Sequence, residues 1–250
     1  MEIVLGLIAF ISSLTLIPLV QRIAQYYHVM LDHPSGRRIH LKPIPRIGGI
    51  GMATPFVLVV FTGTFLFHNY PVFPVLGILA AGVIGLLIGL RDDVRSMNAY
   101  QKFAGQLVVT LVLMASGLRI ERMIFPFFWN IPLPFGVSFL ATLFWVTATM
   151  NAVNLIDGMD GLAGGVLLIA SLGMLFLAYR TGNPPAVLMS AGIAGVCLGF
   201  LRYNFYPATV FMGDCGSMFL GATFAGLSLL LTHNGATTGS VWIPTALLTV

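Results

Sequence analysis

The sequence predicts an all-α, polytopic integral membrane bundle, with about eight complete spans and a ninth that is cut off by the end of the chain. Three observations carry this. Hydrophobic residues make up 58% of 250 positions and charged residues only 8%. The mean hydropathy is +0.95. Apolar runs recur at close to the length of about 20 residues that a spanning helix needs.

The spans read as residues 4–20, 47–67, 72–90, 103–118, 135–150, 162–179, 186–201 and 218–231, with the ninth beginning near Val241 and ending at Val250. The first does not read as a cleavable signal peptide, because Met1-Glu2 lacks a basic start and no small-residue cleavage site follows. Small residues inside the spans, such as Ala80-Ala81-Gly82, suit close helix packing in lipid. The stretch 119–134 is apolar and aromatic and reads as a hairpin at the outer interface. Two cysteines, Cys197 and Cys215, are too few for a disulfide framework. With no internal repeat, low-complexity tract or linker, residues 1–250 read as one domain.

Charge placement orients the bundle. Arg22, Arg37, Arg38, Lys42, Arg46, Arg91, Arg95, Lys102 and Arg202 fall near loops after odd-numbered spans, against Arg119, Arg122 and Arg180 on the other side. Under the positive-inside rule the first set is cytoplasmic and the N-terminus outside. Topology explains the basicity, so nucleic acid is not an expected partner.

Six of the eight acidic residues lie in four short clusters, all in those same loops: Asp32, Asp92-Asp93, Asp157 with Asp160, and Asp214. A carboxylate at the bilayer centre costs roughly 2.5–3.5 kcal/mol even on a lenient scale, so such groups require water, a metal or a partner. In Asn151-Ala152-Val153-Asn154-Leu155-Ile156-Asp157-Gly158-Met159-Asp160-Gly161-Leu162, Asn and Asp recur every third residue, on one face of a helix. Helix capping explains one such pair. Four in register suit a Mg2+ site, which uses one or two carboxylates and completes its shell with water and phosphate. Phe211-Met212-Gly213-Asp214-Cys215-Gly216-Ser217 holds one carboxylate between glycines at a helix start, where amides favour anions; an ordinary helix-starting turn has the same pattern. Asp92-Asp93 either pairs with Arg91, Arg95 and Lys102 at the surface or faces a metal–phosphate site. The loop from Asp32 to Gly49 is basic and proline-pinned, and His40, Lys42 and Arg46 are its candidate phosphate ligands.

At these residues the chain resembles the polyprenyl-phosphate N-acetylhexosamine-1-phosphate transferase family, from Asp32 to about Gly221 in order. Asn-Ala-Val-Asn-Leu-Ile-Asp-Gly-Met-Asp-Gly-Leu and Phe-Met-Gly-Asp-Cys-Gly-Ser carry the resemblance. Pro45-Arg46-Ile47-Gly48-Gly49 is more similar to the GlcNAc branch than to the phospho-MurNAc-pentapeptide translocases. The resemblance implies transfer of a sugar-1-phosphate, GlcNAc-1-phosphate foremost, from a UDP-sugar to polyprenyl phosphate with release of UMP, in the first membrane step of cell-envelope polysaccharide synthesis. It implies Mg2+, with Mn2+ as the substitute ion, held by Asp214 and Asn154. It makes Asp92, Asp93, Asp157 and Asp160 catalytic, and puts Asp160, Asn204, Phe211 and Lys102 around the nucleotide-sugar. A homodimer in the inner membrane is the expected form. In this family Thr or Ser usually follows the metal-ligating Asp, and here Cys215 does. The family also has a His-x-His-His type loop after span nine, so an ending inside an apolar run is the expectation for a fragment.

Two other readings use the same acids. A cation- or proton-coupled transporter places them in broken helices at mid-bilayer, and an intramembrane aspartyl protease needs an Asp pair within spans. The acids lie at span ends on one side, against the first, and the second has no use for the basic loop or the Asn-Asp strip.

Overall fold

The computed structural model describes residues 1–32, 43–67, 70–125 and 129–233. Over these, eight helices form in order: α1 (Glu2–Tyr27), α2 (Gly48–Leu66), α3 (Val72–Val94), α4 (Ala99–Ala115), α5 (Phe135–Ile156), α6 (Leu162–Arg180), α7 (Pro184–Asn204) and α8 (Gly213–His233). Two small antiparallel ladders accompany them: β1 (Leu31–Asp32) with β2 (Ile44–Pro45), and β3 (Arg122–Phe125) with β4 (Trp129–Pro132). The second is the hairpin expected over 119–134. The expected ninth span lies outside the described residues.

Seven of the helices are long and apolar enough to cross a membrane. The exception is α4, with 17 residues. At 1.5 Å per residue it is roughly 25 Å long, and it still runs the depth of the bundle. Gly105 near its start lies against Ile88 of α3, and Ser116 just past its end against Gly77. Asn98 and Gln101 form a reciprocal capping box that starts it.

Side-chain contacts fix the direction of each helix. α1 and α7 are parallel: Gly6 packs on Ala191, and further along the Tyr203 hydroxyl donates to the Leu14 carbonyl at 2.7 Å. α2 and α8 are parallel, with Gly49 on Gly216 and Phe56 edge-on to Phe219. α3 and α8 are antiparallel, pairing Gly89 with Asp214, Gly85 with Met218 and Gly226 with Ile78. α5 opposes α8 through Gly221 on Met150 and the Trp145 indole donating to Ser228 Oγ at 2.7 Å. α6 opposes α7, with Gly164 on Leu201. Direction therefore alternates along the chain. The starts of α2, α4, α6 and α8 share one end of the bundle with the ends of α1, α3, α5 and α7.

α8 is the axis: 94% of its apolar window is buried, against 22% for α1. Glycine makes this possible at the site end. A Cβ on Gly89 would overlap the Asp214 carbonyl, and one on Gly49 would overlap the Gly216 amide, so the first turn of α8 is wedged directly between α2 and α3. The helices also outrun their expected spans. α3 continues to Val94 and α5 to Ile156. Asp92, Asp93, Asn151 and Asn154 are therefore helical, because partners on neighbouring helices satisfy their side chains.

Overpacking a close contact costs about 1–3 kcal/mol. Gly89→Ala should lower the thermal midpoint of the detergent-purified protein by several degrees. Gly165→Ala, where an added Cβ meets nothing within 4 Å, should leave it unchanged.

Candidate active site

The site is built at the shared end of the helices. Asp214 sits in the first turn of α8, with its carboxylate divided between two helices. Oδ1 accepts from Asn154 Nδ2 of α5 at 2.9 Å, and Oδ2 accepts from Lys102 Nζ of α4 at 3.3 Å. The same ammonium pairs with Asp92 Oδ2 of α3. Asp92 Oδ1 accepts the Met97 amide, which ties the turn between α3 and α4. Asn154 Nδ2 donates in addition to Ser217 Oγ at 2.9 Å. Four helices thus meet in one network of two carboxylates, one ammonium, one amide and one hydroxyl.

Asp93 is placed differently from its neighbour. Its two oxygens accept the Asp214 and Cys215 amides at 3.0 and 2.9 Å. It is a carboxylate cap, lent by α3 to the positive end of α8. Asp157 stands at the C-cap of α5, near the Gly213 amide. Part of its surface is open, yet enough protein surrounds its carboxyl that burial pushes its pKa up to about 8; Arg46 and the Gly213 amide oppose the rise, and Asp214 and Asp93 add to it. Sequence reading left the amides at this helix start open between a ligand anion and an ordinary helix-starting turn. Here Asp93 occupies two of them. Gly213, at φ 75°, has a Cβ direction blocked by the Arg46 carbonyl and Asp93, and Gly216 packs on Met212 and Gly49. The glycines of this motif face protein.

Of the other expected site residues, Asp160 accepts the Ala208 amide at 3.0 Å. Asn204 is buried, at 3% exposure, accepting the Gly161 amide at 2.9 Å and donating to the Val210 carbonyl at 2.9 Å. Both residues join the turn before α6 to the segment before α8. Phe211 extends the β2 segment through its main chain: its amide donates to the Pro45 carbonyl, and its carbonyl accepts the Gly48 amide. Arg46 Nε lies 3.8 Å from Asp32 Oδ1, with its side chain 45% exposed at the mouth of the site. His40 and Lys42 lie outside the described residues. The Cys215 thiol points at the Met212 and Arg46 carbonyls, at 3.6 and 4.0 Å, so a hydroxyl there would have the same acceptors.

Two residues were missed from sequence. Ser217 stood inside a motif read for its glycines. Gln106 gave one signal, an amide within an apolar helix; its Nε2 donates to Asn151 Oδ1 at 2.9 Å.

Among the described residues no three His, Cys, Asp or Glu side chains are grouped to hold a metal unaided. The donor set nevertheless fits a hard cation that borrows substrate oxygens. The Lys102 ammonium already bridges two carboxylates, which marks a position that demands positive charge. With its amide turned over, Asn154 would present an oxygen to such a cation.

Comparison with known proteins matches residues 75–232, from α3 through α8, to the family described as Glycosyl transferase family 4. The chain is 34% identical over 247 residues to a probable undecaprenyl-phosphate N-acetylglucosaminyl 1-phosphate transferase of Bacillus subtilis, covering 98% of this chain and 67% of that protein. It is 37% identical over 213 residues to a decaprenyl-phosphate N-acetylglucosaminephosphotransferase of Mycobacterium tuberculosis, covering 78% of this chain and 52% of the relative. It is 32% identical over 244 residues to a phospho-N-acetylmuramoyl-pentapeptide-transferase of Clostridium novyi, covering 90% and 73%. The chain thus spans about half to two thirds of the N-acetylglucosaminyl-type relatives. The family match takes in Asp92, Asp93, Asn154 and Asp214, the residues that the bundle brings to one end, and the chain belongs to glycosyl transferase family 4, among the polyprenyl-phosphate sugar-phosphate transferases.

Proposed function

We propose that the protein transfers GlcNAc-1-phosphate from UDP-GlcNAc to polyprenyl phosphate, releasing UMP, at the cytoplasmic face of the inner membrane. The observation that carries this is the Asp92–Lys102–Asp214–Asn154 network at the bundle's end. It can receive a soluble diphosphate and a membrane-borne phosphate at one place. Similarity to N-acetylglucosaminyl-type relatives, and the Pro-Arg-Ile-Gly-Gly segment beside the site, favour GlcNAc over MurNAc-pentapeptide. The orientation follows from Arg22, Arg46, Arg91, Arg95, Lys102 and Arg202 at the site end against Arg119, Arg122 and Arg180 at the other. A transporter would need acids at mid-depth, and the site acids lie at helix ends.

Asp214 and Asn154 would hold Mg2+, or Mn2+ in its place, with Asp92 beside them; the ion would supply charge neutralisation for the diphosphate. The protein's own task is positioning and charge stabilisation, which dominate phosphoryl transfer. An oxygen of the lipid phosphate forms a bond to the β-phosphorus of the UDP-sugar. The bond from that phosphorus to the bridging oxygen breaks, and the electron pair leaves with UMP. Lys102, released from Asp214 and still held by Asp92, faces the negative charge of the phosphates. Arg46, half-exposed beside Asp157, is placed to contact a phosphate from the opposite side. A dedicated base is not required, because a phosphate monoester, with a second pKa of about 6, is largely ionised at neutral pH. Asp92 acts by holding Lys102 and orienting the acceptor.

Membranes containing the protein, incubated with polyprenyl phosphate, Mg2+ and labelled UDP-GlcNAc, UDP-GalNAc or UDP-MurNAc-pentapeptide, should move label into the lipid extract from UDP-GlcNAc. A chelator should abolish the transfer. Label from another donor, or transfer undiminished by chelation, contradicts the assignment.

The two adjacent aspartates should separate on substitution. Asp92→Asn should lower turnover by about a hundredfold, the scale of removing one charge-positioning group, with the thermal midpoint nearly unchanged. Asp93→Asn presents an amide donor to the α8 amides and should lower the midpoint itself, since losing a cap costs about 0.5–2 kcal/mol. Turnover and thermal unfolding of both variants in detergent decide this.

A further inference from the structure

We propose that Gln106 is a positioning residue for the transfer site, acting through Asn151 to fix the spacing of α4 against α5. The inference rests on the functional reading above and adds a residue to it. Asp214 takes one hydrogen bond from each of these helices, Lys102 on Oδ2 and Asn154 on Oδ1. Lys102 and Gln106 are four residues apart on α4, and Asn151 and Asn154 three apart on α5, so each pair lies along one helix face. The Gln106–Asn151 bond at 2.9 Å is therefore a rung one turn deeper than the shared carboxylate.

Packing alone holds these two helices loosely. The α4–α5 contact is smaller than that of α4 with α3, and far smaller than those of α8 with α3 or α5. Among the described residues their other polar link is at the far end, where the Ile120 amide, just beyond α4, donates to Thr142 Oγ1 of α5. Gln106 is 2% exposed. A polar bond between membrane helices adds little stability, because the separated helices also find partners. Its consequence is geometric: it sets how far apart Lys102 and Asn154 stand when they share Asp214. Leucine at position 106 removes the rung and keeps an apolar helix. The exchange Gln106→Asn with Asn151→Gln keeps an amide pair of the same combined length.

Turnover of UDP-GlcNAc and the α4–α5 distance are measured together. Spin labels are attached at Tyr100→Cys and Leu155→Cys, which stand 87% and 80% exposed at the site ends of α4 and α5, while both native cysteines are buried. In Gln106→Leu the distance distribution should broaden and kcat fall by about ten- to a hundredfold, the scale of an ångström-sized misplacement, with KM for the nucleotide-sugar nearly unchanged. The exchanged pair should restore both. An unchanged distance distribution, or a broadened one with undiminished kcat, overturns the proposal. If the parent protein transfers no sugar phosphate at all, the functional reading fails instead, and the distance arm still decides whether Gln106 spaces the helices.

Discussion

The structure turns on one carboxylate, that of Asp214, at the start of the most enclosed helix of the bundle. A charge in that position cannot be left alone near a membrane. It is met by Lys102 from α4 and Asn154 from α5, and Lys102 is held in turn by Asp92 from α3. Each partner comes from a different crossing of the bilayer. The network closes only if all four helices end at the same depth and on the same side.

That requirement explains features otherwise unrelated in sequence. Gly49 and Gly89 let α2 and α3 approach the first turn of α8 at backbone distance. Asp93 satisfies two of the amides exposed by that turn, and so holds Asp214 in place without competing for its oxygens. The β1–β2 ladder and the Phe211 main chain stitch Pro45 and Gly48 to the segment before α8. Asn204 and Asp160 do the same for the turn before α6. Among the described residues, Asp93, Asp160 and Asn204 organise backbone, whereas Asp92, Lys102, Asn154 and Asp214 are joined through their side chains.

The fold and the location of the site were legible in the sequence, because lipid makes both obligatory. Long apolar runs must be helices, and counting spans puts Asp92, Asp157 and Asp214 on one face. The division of labour was not legible. Asp92 and Asp93 are adjacent and chemically identical, and a helical rotation of about 100° per residue turns one to Lys102 and the other to the amides of α8. Nor does sequence show that Gly213 and Gly216 face Arg46, Asp93 and Met212 rather than a phosphate. Helix ends were set short, at 150 for α5 and 90 for α3, because polar residues in the last turns read as loop when their partners on other helices are unseen. Gln106 escaped notice for the same reason.

The central claim is that loops distant in sequence converge on one face of the bilayer, the cytoplasmic one. The most direct measurement is thiol accessibility in intact cells, with single cysteines introduced at Ser96, Met159, Tyr206, Glu121 and Thr181. The account predicts that a membrane-impermeant reagent labels Glu121→Cys and Thr181→Cys from outside, and reaches Ser96→Cys, Met159→Cys and Tyr206→Cys only after the membrane is opened. Labelling of Ser96→Cys, Met159→Cys or Tyr206→Cys from outside would contradict it.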